Sequence, residues 1–374
     1  MTEVEDSLSR LNGDLPLGEK LRFIHRLLSE RFDFIDRVSV VLYEPKTRML
    51  RTYIETGGDE PVLAHYELPL DDIPSLKAVC ESGRPRVVRD LSVFGEPVRE
   101  HTRRIAVHYR ASYTLPMFSN GEFFGFAFFD SGKRDPFTDD ALHYLNLFGH
   151  LIALLFISDV SAVRTLAAAV KTAREMAQHR DVETGAHLDR MAHYARLIAR
   201  ELVNAHALDD EYIERVFLFA PLHDIGKIAV PDRILLKPGR LDHAEYEIMK
   251  THTATGRRII DTMLDEFGLS TLQQVDVLRN IAELHHEAMD GSGYPHGLRD
   301  GDIPLEARII AVADVFDALT SERPYKARWS NGEAFAALRR MAGSRLDAGC
   351  VAALAGNPDA VERIQVRFTE DRYA

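Results

Sequence analysis

IERVFLFAPLHDIGKIAV, residues 213–230, decides how the second half of this 374-residue chain is read. Ile213, Val216, Phe217 and Ala220 recur three and four residues apart, the mark of a helix with one buried face. The apolar stripe runs directly into His223 and Asp224, so an imidazole and a carboxylate stand at the end of a core face. A charge buried there without a partner would cost several kcal/mol.

Other segments repeat the conflict. Glu183 and His187 are four apart and share a helix face that continues through Met191, Tyr194 and Ile198. The helix Leu305–Leu319 is apolar nearly all round, yet Asp314 and Asp317 project from it where Ala311 and Ala318 keep the face small. His252 and the adjacent His285 and His286 complete eight potential metal ligands: Glu183, His187, His223, Asp224, His252, His285, His286 and Asp314. Buried Asp–Arg and His–Asp pairs would explain one such breach, but they explain two adjacent pairs poorly. The helical geometry therefore predicts a metal site. Mixed imidazole and carboxylate ligands suit iron, manganese or zinc better than calcium.

RDVETGAH (180–187), LHDIGKIAVPDRILLKPGRL (222–241), MKTHTATG (249–256), HHEAMDGSGYPHGL (285–298) and IPLEARIIAVADVFDALTSERPYK (303–326) occur in this order. Together they resemble the HD-GYP family of HD-domain metallohydrolases, with His223-Asp224 as the HD pair and Gly293-Tyr294-Pro295 as the GYP signature. The resemblance implies an all-α helical bundle that hydrolyses cyclic di-GMP to pGpG and, in some members, on to GMP. It implies one metal on His187, His223, Asp224 and Asp314, and a second that shares Asp224 and takes His252, His285 and His286. Glu183 is the position that permits a third, so two or three divalent ions are expected, iron or manganese favoured. A hydroxide bridging two such ions would be a nucleophile at neutral pH.

Lys227, three residues after Asp224, could neutralise developing charge or protonate the leaving oxygen. The resemblance places Arg323 and Lys326 on the substrate phosphates and Asp317 on a guanine edge. Tyr294 would close the pocket or present a partner surface, a diguanylate cyclase domain among the candidates. Two departures fall outside the ligands: Glu287-Ala288-Met289 where Arg-Trp is usual, and no proline within Gly343–Val351.

The first half alternates differently. Arg37–Glu44 and Arg48–Thr56 read as strands, and Pro74–Glu81 as a short helix stopped by Gly83. Tyr113–Phe118 and Phe123–Phe129 flank Ser119-Asn120-Gly121, a hairpin signal because Asn and Gly tolerate positive φ. A helix from Asp139 to Phe156 follows. This order resembles a GAF sensor domain, which implies a small-molecule or redox signal and a homodimer. Val163, Leu166, Val170 and Ala173 carry a short heptad-like pattern in a helical connector.

The organisation expected is a GAF-like α+β domain over 1–157, a connector over 158–180 and an HD-GYP domain over 181–374. A net charge of −12 argues against binding a nucleic acid polymer, which needs clustered cations. Cys80 and Cys350 are the only cysteines, too few for a disulfide framework and in keeping with a cytoplasmic protein. The apolar stretch Leu145–Val160 is interrupted by Asn146, His150, Ser158 and Asp159, short of the run of about 18 that marks a membrane span. A non-catalytic cyclic di-GMP receptor or adaptor, and an HD phosphohydrolase of another nucleotide, are the competing readings.

Overall fold

A computed structural model describes residues 6, 8–13, 15–58, 62–93, 100–176, 185–269, 274–321 and 328–369. The chain divides into two compact units between Ser161 and Ala162.

In the first unit α1 (Leu17–Arg31) precedes a hairpin of β1 (Arg37–Glu44) and β2 (Met49–Thr56). β3 (Glu67–Pro69), α2 (Pro74–Ser82), β4 (Arg86–Val88) and α3 (Glu100–His108) follow. A second hairpin, β5 (Ala111–Ser119) and β6 (Glu122–Ser131), leads into α4 (Asp139–Met176). The sheet order is β3-β2-β1-β6-β5-β4 with every neighbouring pair antiparallel. Its second hairpin turns on Asn120 and Gly121, at φ 50° and 85°, as the sequence predicts. α2 likewise stops at Gly83 in the left-handed region.

Alternation along the strands gives the sheet two apolar faces. Val38, Val40, Leu115 and Phe129 pack with Leu21, Ile24 and Leu28 of α1 and Leu145, Ile152 and Phe156 of α4. Each aliphatic side chain so buried contributes about 1.5–3 kcal/mol. Val41, Leu50 and Phe126 face the other way, under Leu76 and Val79 of α2. This is the GAF-like α+β architecture expected. Cys80 belongs to that second cluster; burial, then Glu81, pushes its thiol up.

The last helix is longer than the sequence reading allowed. α4 does not end near Phe156 but continues to Met176, because neither Gly nor Pro interrupts residues 150–184. The side chains of Leu166, Val170 and Ala173 lie outside the described residues. By length and composition Asp139–Thr165 is apolar enough to cross a membrane, with mean hydropathy 1.6 and one third buried. The buried part is the stripe on the sheet. Leu147 and Leu154 point outward, 55% and 68% exposed.

The second unit is helical throughout its described regular elements. They are α5 (Gly185–Glu201), α6 (Val203–His206), α7 (Asp210–Phe219), α8 (Asp232–Leu235), α9 (His243–Glu266), α10 (Val275–Leu284), α11 (Leu305–Thr320), α12 (Asn331–Met341), α13 (Ala348–Ala355) and α14 (Pro358–Arg367). Met191, Tyr194 and Ile198 of α5 meet Val216, Ile281, Ile309 and Phe316 in one core. Thus the stripes read from α5, α7 and α11 converge. α9 starts at a capping box formed by Asp242 and Glu245, which satisfies two orphan amides at its first turn.

A cluster of charges is buried in the first unit. Arg37 is 1% exposed; its guanidinium pairs with Glu55 and, at 2.6 Å, with Asp130. Replacing it, Arg37→Met, would strand two buried carboxylates. The expected loss is about 3–5 kcal/mol, read by calorimetry as a lowered unfolding transition of this unit.

Candidate metal centre

Four helices and one short turn each deliver a ligand type where the core stripes end. His187 lies on the first turn of α5, while His223 and Asp224 follow the 3₁₀ turn Ala220–Leu222 after α7. α9 carries His252, α10 ends directly before His285 and His286, and α11 carries Asp314. Their ligand atoms form two groups, Asp224–His252–His285–His286 and His187–His223–Asp314, each within 4.8 Å. Asp224 stands in the first group with the three histidines expected beside it, and the second group holds His187, His223 and Asp314 without it. Glu183 lies outside the described residues, as do Arg323 and Lys326.

Local hydrogen bonds decide which imidazole nitrogen faces inward. Nδ1 of His223 lies 2.9 Å from the Ala220 carbonyl, Nδ1 of His252 2.8 Å from that of Met249, and Nδ1 of His285 2.9 Å from that of Ile281. A carbonyl only accepts, so each Nδ1 carries the proton and each Nε2 presents a lone pair. Nε2 of His252 and His285 stand 3.5 Å apart, and 3.2 and 3.6 Å from the same Asp224 oxygen. Lone pairs and a carboxylate converging on one point repel each other until a cation takes them. The donor set therefore fits a metal, and the carbonyls behind the three Nδ1 atoms orient those rings toward it.

Asp224 is 4% exposed. Burial drives its carboxyl upward, but the Lys227 ammonium reverses this and holds it well below the usual range. Lys227 Nζ lies 2.6 Å from Asp224 Oδ2, so the lysine predicted to work beside Asp224 is beside it. Burial depresses both His285 and His286, and for His286 the neighbouring His285 adds to it. Both rings are kept neutral, the form that ligates. Tyr294 stacks loosely on His286, ring centroids 4.8 Å apart at 34°. Burial raises its hydroxyl, which stays protonated.

Asp317 has a different task from the guanine contact expected of it. It is fully buried, and both oxygens are taken: His187 Nδ1 donates at 2.7 Å, Arg190 at 2.7 and 3.0 Å, Ser321 at 2.9 Å. No oxygen is left to read a base. Asp317 instead fixes the His187 ring, and Arg190, bonded also to the Phe368 carbonyl, fixes Asp317. Arg190 escaped the sequence reading; a charged residue three places after His187 in an otherwise core-facing helix was the available signal.

Two close approaches hold the ligands at their spacing. A Cβ on Gly226 would fall 1.9 Å from the His252 carbonyl oxygen and 2.5 Å from the Gly256 nitrogen. The turn after Asp224 thus lies directly against the helix that carries His252. Beyond His286, the Glu287 carboxylate accepts from the amides of His296, Gly297 and Leu298 at 2.7, 3.2 and 2.9 Å, closing the loop that bears Tyr294.

Comparison with known proteins gives two family matches, an HD domain over residues 162–349 and a GAF domain over residues 17–156. The cyclic di-GMP phosphodiesterase response regulator RpfG of Xanthomonas campestris is 44% identical over 192 residues, 51% of this chain and 48% of that protein. A probable cyclic di-GMP phosphodiesterase of Vibrio cholerae is 43% identical over 176 residues, 46% of this chain and 40% of that one. A 3′3′-cGAMP-specific phosphodiesterase 2 of the same organism is 42% identical over 152 residues, 41% and 27% of the two chains. The chain thus matches less than half the length of these relatives.

Gly226→Ala should push His252 away from Asp224. Metal content after reconstitution is expected to fall at the Asp224–His252–His285–His286 group, with a lowered unfolding midpoint; full loading would show that the contact is not needed. A second expectation concerns acid. With the folded values of His285 and His286 below the ordinary ~6.5, the metal-free folded state binds fewer protons than the unfolded chain. Its stability is complete above pH ~6.5 and declines as pH falls through that value toward the folded ones. Thermal unfolding of metal-free protein between pH 7.5 and 5.5 measures this, and a flat profile would contradict neutral burial.

Proposed function

The chain belongs to the HD domain family, and from that premise we propose that it hydrolyses a cyclic dinucleotide, cyclic di-GMP, at the two ligand groups that meet at Asp224. The observation that carries the reading is the convergence of inward Nε2 atoms on one buried carboxylate beside Lys227. The printed names of the matched relatives support the substrate class.

His187, His223 and Asp314 would hold one divalent ion, and His252, His285 and His286 a second, with Asp224 between them; Glu183 would serve a third. When bound, such ions supply a water activated near neutral pH and positive charge against the phosphoryl oxygens. Iron or manganese fits the imidazole–carboxylate set. The protein's own groups do the rest. The backbone carbonyls behind His223, His252 and His285 hold the lone pairs in place. The Asp317–Arg190 pair keeps His187 turned inward. The Lys227 ammonium has the proton and the position to stabilise or protonate the departing 3′-oxygen, while Arg323 and Lys326 would hold the phosphates. The product would be linear pGpG, with GMP after a second cut.

A second reading, 3′3′-cGAMP as the substrate, is favoured by the 42% identical relative of that name; both substrates present the same phosphodiester to the same ligands. Residues 1–157 would bias turnover through the helical connector of 158–180, and 181–374 would carry the chemistry. Leu147 and Leu154, seven apart and outward on α4, would face a second copy in a cytoplasmic homodimer. A single-chain sedimentation mass would remove the dimer, and identical turnover of residues 156–374 alone would remove the coupling.

Metal analysis of anaerobically prepared protein, with chromatography of products from both cyclic dinucleotides, tests the core of the reading. Two or three ions per chain and a linear dinucleotide are expected. Glu183→Ala should lose one ion at most, whereas Lys227→Ala should keep the metals and lose about 10²–10⁴ in kcat. Reconstituted protein that binds metal but cleaves neither substrate would leave a receptor in place of an enzyme.

A further inference from the structure

α9 carries more than His252 toward the Asp224 group. Six residues earlier stands Tyr246, 43% exposed and among the largest apolar surfaces open to solvent in this unit. Its ring meets that of Tyr294 edge to face, centroids 6.3 Å apart at 83°, and Tyr294 in turn lies on His286. Lys250, one turn along α9, sits 5.3 Å from the Tyr246 ring centroid and 5.7 Å from that of Tyr294. Its ammonium also pairs with Glu247 at 2.6 Å. Three rings thus step outward from a ligand imidazole to the surface: His286, Tyr294, Tyr246.

The mounting is rigid at both ends. The Tyr246 amide donates to the Asp242 carbonyl at 2.9 Å in the capped first turn of α9. The Tyr294 amide donates to the His286 carbonyl at 3.2 Å. An exposed aromatic on fixed backbone loses little freedom when another flat ring covers it, which is why such residues serve as stacking platforms.

Resting on the cyclic dinucleotide reading, we propose that Tyr246, with Lys250 beside it, is the stacking platform for a purine base of the substrate. A phosphate held at the Asp224 group leaves its nucleoside base one sugar farther out, on the side where the rings step from Tyr294 to Tyr246. Tyr294, edge to face with Tyr246, walls the base in from the metal side. Lys250 holds both rings by cation–π attraction and adds positive charge for an anionic ligand. Stacking is indifferent to which purine it holds, so this platform supplies affinity and leaves the choice between guanine and adenine to other groups.

The experiment compares wild type, Tyr246→Ala and Tyr246→Trp, each reconstituted with manganese. Equilibrium dialysis gives Kd for cyclic di-GMP and 3′3′-cGAMP; turnover is followed on both and on methyl p-nitrophenyl phosphate, a diester without a purine. Tyr246→Ala is expected to weaken both dinucleotides by on the order of tenfold, chiefly in Kd and KM. Metal content and turnover of the small diester should not move, and Tyr246→Trp should bind as wild type or tighter. Dinucleotide binding unchanged in Tyr246→Ala overturns the platform, and continued cleavage by that variant leaves the phosphodiesterase reading intact. Equal losses on all three substrates also overturn it, since that pattern marks a structural role. Wild type that binds neither dinucleotide overturns both readings together.

Discussion

A buried carboxylate surrounded by imidazole lone pairs is an arrangement that a protein core resists, and the second unit is organised around making it possible. Asp224 cannot share oxygens with His252 and His285 unless those rings are held against their mutual repulsion. What holds them is ordinary backbone: one carbonyl behind each Nδ1, three or four residues back along the same chain. A helix turn is thereby used twice, once for its own ladder and once to set a tautomer. His187 is held differently, by a carboxylate that Arg190 fixes in place. That more distant support explains why α5, α11 and the segment at Phe368 must be packed together before this ligand can point inward.

Much of the site was legible because the offending residues interrupt apolar periodicity. His223 and Asp224 end a stripe, and His187 begins one, so a polar cluster at the convergence of three helices follows from helix geometry alone. The guanine role expected of Asp317 came from the family resemblance, and helix geometry could not correct it. Periodicity says which face a residue lies on, and both Asp314 and Asp317 break the apolar face of α11. It does not say what stands opposite. Arg190 and His187 stand opposite Asp317, whereas the partly buried Asp314 joins His187 and His223. The need for a bare Cα at Gly226 comes from α9, remote in sequence, and nothing local announces it.

In the first unit the local signals were strong where a backbone angle demanded a residue type. Asn120 and Gly121 marked their turn and Gly83 its helix end. α4 was cut short for the opposite reason. It was expected to end at Phe156, before a separate helical connector over 158–180; no Gly or Pro divides the two, and they are one helix to Met176. The buried Arg37–Glu55–Asp130 group was invisible as well, since its members come from three strands whose pairing only the fold supplies.

The three amides gathered on Glu287 bear on how this protein could vary over evolutionary time. Residues 287–298 form a ring sealed by one carboxylate, with Gly293 packed so tightly that a Cβ would fall 2.3 Å from the Ala288 nitrogen. An insertion anywhere inside the ring would have to break the seal or swing Tyr294 off His286. The solvent-facing turn Asp300–Asp302, just outside it, is held to the ring through the Asp300 amide on the Met289 carbonyl at 3.1 Å and lacks a side-chain seal of that kind. Length changes between lineages should therefore collect after Leu298 and be purged before it, so that this stretch drifts in side chains while its residue count stays constant.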